Sequence, residues 1–265
     1  MDLQLQGKRA IVSGSSVGIG FAIAQALARE GASVVVNGRS AVRTKVAAKM
    51  ISDSSGVAVK AYPFVGDLSS PAEIERLCAE VPDTDILVNN LGIYEPKPFQ
   101  EITDADWQRF FEINVMSGVR LSRAYLPGMK ARNWGRIVFI SSESGLNIPV
   151  EMIHYGMTKT AQLAISRGLA ETTAGTGVTV NAVLPGPTRS EGVNDFVTKM
   201  AHDQGKSPAA VEEEFFKNVR PSSLLKRFAT PDEVASMVAF VCSPLSSATN
   251  GAALRVDGGV VRSIA

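Results

Sequence analysis

Residues 9–20 read RAIVSGSSVGIG, a short apolar run over 9–13 followed by a turn with glycine at 14, 18 and 20. The run has the make-up of a strand, and a helical pattern follows over 19–30, closed by Gly31. Glycine permits the tight turn and lets backbone amides approach an anion. The positive end of the helix then favours a pyrophosphate. This junction therefore predicts a dinucleotide cradle built from Gly14, Ser16, Gly18, Ile19 and Gly20. The spacing is G-x-x-x-G-x-G, not G-x-G-x-x-G.

Outward from the turn, strand-like runs alternate with helical patterns. Strands are expected at 33–37, 57–65, 85–90, 136–141, 178–184 and 253–256. Helices are expected at 41–54, 71–80, 104–131, 151–173 and 231–242, with Thr103 or Asp104 capping the third. Strands apolar on both faces and separated by helices imply a parallel sheet covered on both sides. Right-handed crossovers make this a single-domain, doubly wound α/β fold of the Rossmann type, with about seven strands. No linker divides residues 1–265. The stretch over about 188–227 is polar and irregular, follows a strand's carboxyl end, and reads as a substrate lid carrying a helix or two.

Composition narrows the function. The chain has 265 residues, 45% of them hydrophobic, and a net charge of +1. Without a dense basic run there is no electrostatic case for nucleic acid or an anionic membrane as partner. No transmembrane span or signal peptide is legible, so a cytoplasmic protein is expected. Two cysteines, Cys78 and Cys242, read as reduced thiols, and with two histidines at no ligand spacing no metal site is expected.

Tyr155 and Lys159 stand four apart on a predicted helix and share a face. A lysine ammonium about 4 Å from a phenol, at an effective dielectric near 20, offers roughly 4 kcal/mol. That would lower a tyrosine pKa of about 10 by up to about three units and make it a usable acid/base. Ser142 follows the strand over 136–141, Asn90 and Gly92 follow that over 85–90, and Asn114 interrupts a long helix where asparagine is a poor former. Cofactor choice should lie at the end of the second strand, which reads Val36-Asn37-Gly38-Arg39-Ser40. No acid stands there to take ribose hydroxyls. Arg39 suits a 2′-phosphate, so NADP(H) is expected over NAD(H).

With these pieces in this order, the chain resembles the short-chain dehydrogenase/reductase family in its compact form, and within it the 3-oxoacyl-ACP reductases. The likeness runs over about 7–259 and rests on residues 13–20, Asp67-Leu68, Asn89-Asn90-Leu91-Gly92, Asn114, Ser142, Tyr155 with Lys159, and Asn181 through Pro185-Gly186-Pro187-Thr188. It implies that Tyr155 exchanges a proton with the carbonyl oxygen, that Ser142 orients this oxygen, and that Lys159 holds the nicotinamide ribose. Asn114 would open a kink that seats a water, linking Lys159 to solvent. Asp67 and Leu68 would contact adenine, Asn90 and Gly92 would flank the adenosine ribose, and Pro185, Gly186 and Thr188 would hold the carboxamide. Ser13 stands for the usual threonine, Leu91 for alanine, Thr158 for serine, and Val17 where many NADP-using members carry a basic residue.

The expected activity is interconversion of a ketone and a secondary alcohol, as a homodimer or homotetramer formed through the two long helices. Leu146, Ile148, Val150 and Met152 predict a fairly apolar pocket, to which Lys217, Arg220 or Lys226 would add any anionic anchor. A 3-oxoacyl thioester is the first candidate substrate, with sugars, steroids and cyclic ketones as alternatives. The alternative from another class is an NADP(H)-binding redox sensor or scaffold without turnover. A nicotinamide-dependent epimerase or dehydratase would need a longer chain and another glycine spacing.

Overall fold

The computed structural model describes residues 1–55 and 59–264. Among them, seven parallel strands form one sheet: β1 (Arg9–Val12), β2 (Ser33–Gly38), β3 (Ala61–Val65), β4 (Ile86–Asn89), β5 (Gly135–Ile140), β6 (Val178–Pro185) and β7 (Ala253–Val256). Their order is β3-β2-β1-β4-β5-β6-β7, so the order reverses between β1 and β4. A crevice opens at such a reversal, beyond the carboxyl ends of the strands. Residues 57 and 58 of the expected third strand lie outside the described residues.

Strand alternation builds two apolar layers. Ala10, Val12, Val34 and Val36 pack on one side of the sheet with α1 (Gly18–Arg29), α2 (Ala41–Ser54) and α9 (Pro231–Cys242). Ile11 and Val35 face the other side, with α3 (Pro71–Glu80), α5 (Ser117–Ala131) and α6 (Ile153–Glu171). Helices with strong stop and start chemistry keep their expected bounds. Ser40 caps α2, Pro71 opens α3, and Thr230 with Glu233 forms a capping box on α9.

Two expectations change. The helix over 104–131 is α4 (Asp104–Phe111), a π-turn (Glu112–Met116) and α5, entered through a Thr103 capping box. The helix expected from residue 151 begins at Ile153, after a 3-10 turn at Val150–Met152. The segment after β6 carries α7 (Glu191–Gln204), α8 (Pro208–Glu214) and a second π-turn (Phe215–Val219). Its small apolar cluster, which includes Val197, Ala201, Val211, Phe216 and Phe228, stands apart from the two main layers. Cys242 is buried, Cys78 half-buried, and both are free thiols.

Candidate active site

The glycine turn is held from behind by buried polar side chains. Gly14 and Gly18 take left-handed φ values of 61° and 62°. Ser13 Oγ accepts from the amides of Asn90 and Leu91 at 2.9 and 3.0 Å. Asn90 Nδ2 donates to the carbonyls of Ser13 and Gly14, both at 3.0 Å. Asn37 Oδ1 accepts from Gly14 N at 2.9 Å, while its Nδ2 donates to the carbonyls of Phe64 and Gly66. A Cβ on Gly20 would stand 2.4 Å from the Gly14 carbonyl, so α1 can approach the turn only with glycine there. Helix α1 has Val17 as its N-cap, makes no side-chain cap and has no acid in its first turn. Its leading amides are left for an anion, which fits the pyrophosphate of a dinucleotide.

At the far end of the crevice, Arg39 is 77% exposed and lies 4.0 Å from Asp67. Asp67 Oδ1 also accepts from the amide and hydroxyl of Ser69. Leu68 is buried in the core layer, so any adenine contact falls to its main chain. Arg43, which the sequence did not single out, lines a groove with Ser16, Val17 and Gly18 and lies 3.9 Å from Glu191.

The catalytic candidates converge beyond β4 and β5. Ser142 follows β5 and its Oγ accepts from Ser144 N at 3.1 Å. Tyr155 is on the first turns of α6; burial pushes its phenol up to about 12, and a hydrogen bond from Ser142 opposes the rise. Tyr155 and Lys159 share a face of α6, with the ammonium over the phenol ring. Lys159 Nζ lies 5.6 Å over the Tyr155 ring and donates to the Ile140 carbonyl at 2.9 Å and to Gln162 Oε1 at 3.3 Å. Burial lowers the Lys159 ammonium to about 8. A Cβ on Gly92 would come within 3.5 Å of Lys159 Nζ and of Asn114 Oδ1.

Asn114 sits in the first π-turn and is 1% exposed. Its Oδ1 accepts from Ile93 N at 2.8 Å; its Nδ2 donates to Ile93 O and Thr158 Oγ1, both at 3.0 Å. Its main-chain carbonyl accepts from Gln162 Nε2 at 2.6 Å. Gln162 went unread in the sequence, although Tyr155, Lys159 and Gln162 stand at i, i+4 and i+7 on one helical face. His154 turns the other way and is buried against Phe110, with ring centroids 4.0 Å apart, and burial lowers its pKa.

On the nicotinamide side, Gly186 lies so near Asp257 that a Cβ would stand 2.5 Å from its carbonyl. Thr188 Oγ1 donates to Gly186 O at 2.9 Å. Over this end, Arg220 Nε donates to Glu143 Oε1 at 3.0 Å and Arg220 reaches Glu151 at 3.3 Å. Glu143 and Arg220 are 3% and 8% exposed. Two carboxylates thus neutralise Arg220, while Lys226 is exposed and its Nζ donates to the Pro221 carbonyl. Leu146, Ile148 and Val150 are exposed, and the ring of Tyr94 stands edge-on to Tyr155 at 6.4 Å. Among the described residues no acid, histidine and cysteine cluster could hold a metal, and no helix is long and apolar enough to cross a membrane.

Residues 14–261 match the family model described as enoyl-(acyl carrier protein) reductase. The chain is 48% identical to the uncharacterized oxidoreductase YvaG of Bacillus subtilis (strain 168), over the whole of both. It is 34% identical to the 3-oxoacyl-[acyl-carrier-protein] reductase FabG of Aquifex aeolicus (strain VF5), covering 98% of this chain and 100% of that one. Among solved structures, the L-sorbose reductase of Gluconobacter frateurii, complexed with NADPH and L-sorbose, superposes with a TM-score of 0.93 at 31% identity, over the whole of both chains.

Proposed function

The chain belongs to the short-chain dehydrogenase/reductase family of NAD(P)-dependent oxidoreductases, and from that premise we propose that it is an NADP(H)-dependent reductase of ketones to secondary alcohols. The observation that carries this reading is the meeting of Ser142, Tyr155, Lys159 and Asn114 in the crevice that the glycine turn enters. The nicotinamide, when bound, supplies or accepts the hydride. Tyr155 gives the proton. Burial holds the phenol at about 12, so it carries its proton at neutral pH, and the positive charge of Lys159 nearby would favour release of that proton to a ketone oxygen. Ser142 orients that oxygen. Lys159 holds the nicotinamide ribose and keeps a positive charge behind the phenol below about pH 8.

The choice of NADP(H) rests on Arg39, largely exposed just beyond β2 and 4.0 Å from Asp67, with Arg43 near the same groove. The co-complex of the L-sorbose reductase with NADPH supports it. No acid stands at the end of β2 to favour NAD(H), and Asn37 there is tied to the turn and to β3. Gly14, Ser16, Gly18, Ile19 and Gly20 would seat the pyrophosphate, Asp67, Leu68, Asn90 and Gly92 the adenosine, and Pro185, Gly186 and Thr188 the carboxamide. Residues 1–265 would act as one catalytic domain with 188–227 as its lid, in the cytoplasm, as a homodimer or homotetramer.

A 3-oxoacyl thioester is the first substrate class, in line with the FabG relative. A ketose is the second reading, favoured by the full-length superposition on the L-sorbose reductase. The test is NADPH and NADH oxidation against both classes and cyclic ketones. Turnover should prefer NADPH, vanish in Tyr155→Phe, and lose about tenfold of its cofactor discrimination in Arg39→Ala. Cofactor binding with no turnover on any ketone would favour the sensor instead.

A further inference from the structure

The carboxamide of Gln162 lies between two groups that the reaction depends on. Its Nε2 donates to the Asn114 carbonyl at 2.6 Å, and its Oε1 accepts from Lys159 Nζ at 3.3 Å. The orientation follows from the partners, since a carbonyl only accepts and an ammonium only donates. Gln162 is 2% exposed and Lys159 is 5% exposed, so the link is shielded from bulk solvent. The π-turn presents the Asn114 carbonyl to α6, while three contacts occupy the Asn114 side chain.

We propose that Gln162 is a positioning residue of the reaction, its side chain joining the Asn114 carbonyl to the Lys159 ammonium. This rests on the ketone chemistry proposed above. A carboxamide accepts the ammonium's hydrogen bond and fixes its place, but it passes no proton without tautomerising. The Gln162 carboxamide thus gives the Lys159 ammonium a fixed acceptor beside the Ile140 carbonyl. The groups facing Lys159 are the Tyr155 ring, the Ile140 carbonyl, Gly92, Asn114 and Gln162. The charged or titratable groups that act on Tyr155 beside it are Glu143, Tyr94 and Arg220.

The experiment follows the Lys159 charge directly in the full chain. Lysine carrying a 13C label at Cε is titrated by NMR, and Lys159→Met assigns the resonance. In the wild type the midpoint lies near 8, well apart from freely solvated lysines. Gln162→Met keeps the volume and removes the acceptor, so the midpoint should fall by about one unit, the worth of one hydrogen bond to a charge. Gln162→Glu sets a carboxylate against the ammonium and should raise it. The high-pH limb of ketone reduction should move the same way in each variant. Opposite shifts are a signature that packing alone does not give. Unchanged midpoints in both variants, whatever happens to thermal stability, would overturn the proposal. Should Gln162→Met fail to fold, Gln162→Glu decides alone. If the wild type reduces no ketone, the function reading fails while the titration still judges Gln162.

Discussion

The two π-turns among the described residues are secured in different ways. The first, Glu112–Met116, lies inside a long helical run and is tied by neutral hydrogen bonds. Asn114 binds Ile93 twice and Thr158 once, and its carbonyl takes Gln162. The second, Phe215–Val219, closes α8 and delivers Arg220, whose amide donates to the Phe215 carbonyl at 2.9 Å. The Arg220 side chain then crosses to Glu143 and Glu151, beside Ser142. Both irregularities aim a residue at the same crevice. One is locked by bonds that lose little on burial. The other is locked by charges that need every partner present. The difference suits the proposed arrangement of a fixed catalytic floor beneath a lid.

Breaking the first lock should have the larger effect. Asn114→Ala leaves the amide and carbonyl of Ile93 and the hydroxyl of Thr158 without their partner in a buried place. At about 1–3 kcal/mol for each orphaned group, partly relieved by relaxation, the loss should be about 4 kcal/mol, read by denaturant unfolding. Turnover should fall about 100-fold in the fraction still folded, because the floor under Lys159 moves. A fully active, equally stable variant would mean that the π-turn holds itself. Next comes Arg220→Met. It leaves Glu143 buried with neither Oε1 nor Oε2 paired to a cation, and Oε2 already lacks a partner. Breaking a buried ion pair in this way costs about 3 kcal/mol. The damage should centre on substrate KM and on proteolysis within 188–227, with cofactor binding kept. Loss of cofactor binding would show that the second lock also shapes the floor.

How much of this was legible follows from the same contrast. The sheet, its order of elements and the bounds of α2, α3, α9 and β7 follow from short-range signals, namely apolar runs, Ser40, Pro71 and the Thr230 cap. Asn114 was legible because asparagine is out of place mid-helix. The π-turn itself was not, since residues 104–131 keep a helical period throughout and one extra residue per turn leaves no compositional mark. Gln162 was hidden for a related reason: glutamine is an ordinary helix former, and only the approach of the Asn114 carbonyl gives it work. Asn90 reads in the sequence as flanking the adenosine ribose; in the fold its amide, together with that of Asn37, also braces the glycine turn from behind. Glu143 and Arg220 stand 77 positions apart, and no local pattern joins them. Tyr155 and Lys159 were found by spacing, but spacing fixes only the shared face. Where the ammonium points is set by Ile140 and Gln162, on another element and a further turn.

The smallest expected effect separates charge from shape in the second lock. Burial raises the Glu143 carboxyl pKa, opposed by Arg220, so the pair is a desolvated charge couple that contributes little net stability. Replacing both partners, Glu143→Gln with Arg220→Met, removes the two buried charges together and leaves Glu151, which is partly exposed, in reach of water. The double variant should come within about 1 kcal/mol of the wild type, although Arg220→Met alone loses about 3. It should also lose less stability than Arg220→Met as pH rises through the carboxyl's titration. In that single variant the folded pKa is raised, so folding keeps its stability below the unfolded value of about 4.3 and loses it as the buried carboxyl ionises. A double variant as unstable as Arg220→Met would mean that the two side chains hold the cover by their shape and hydrogen bonds. The contrast between the two π-turns would then be one of position and not of chemistry.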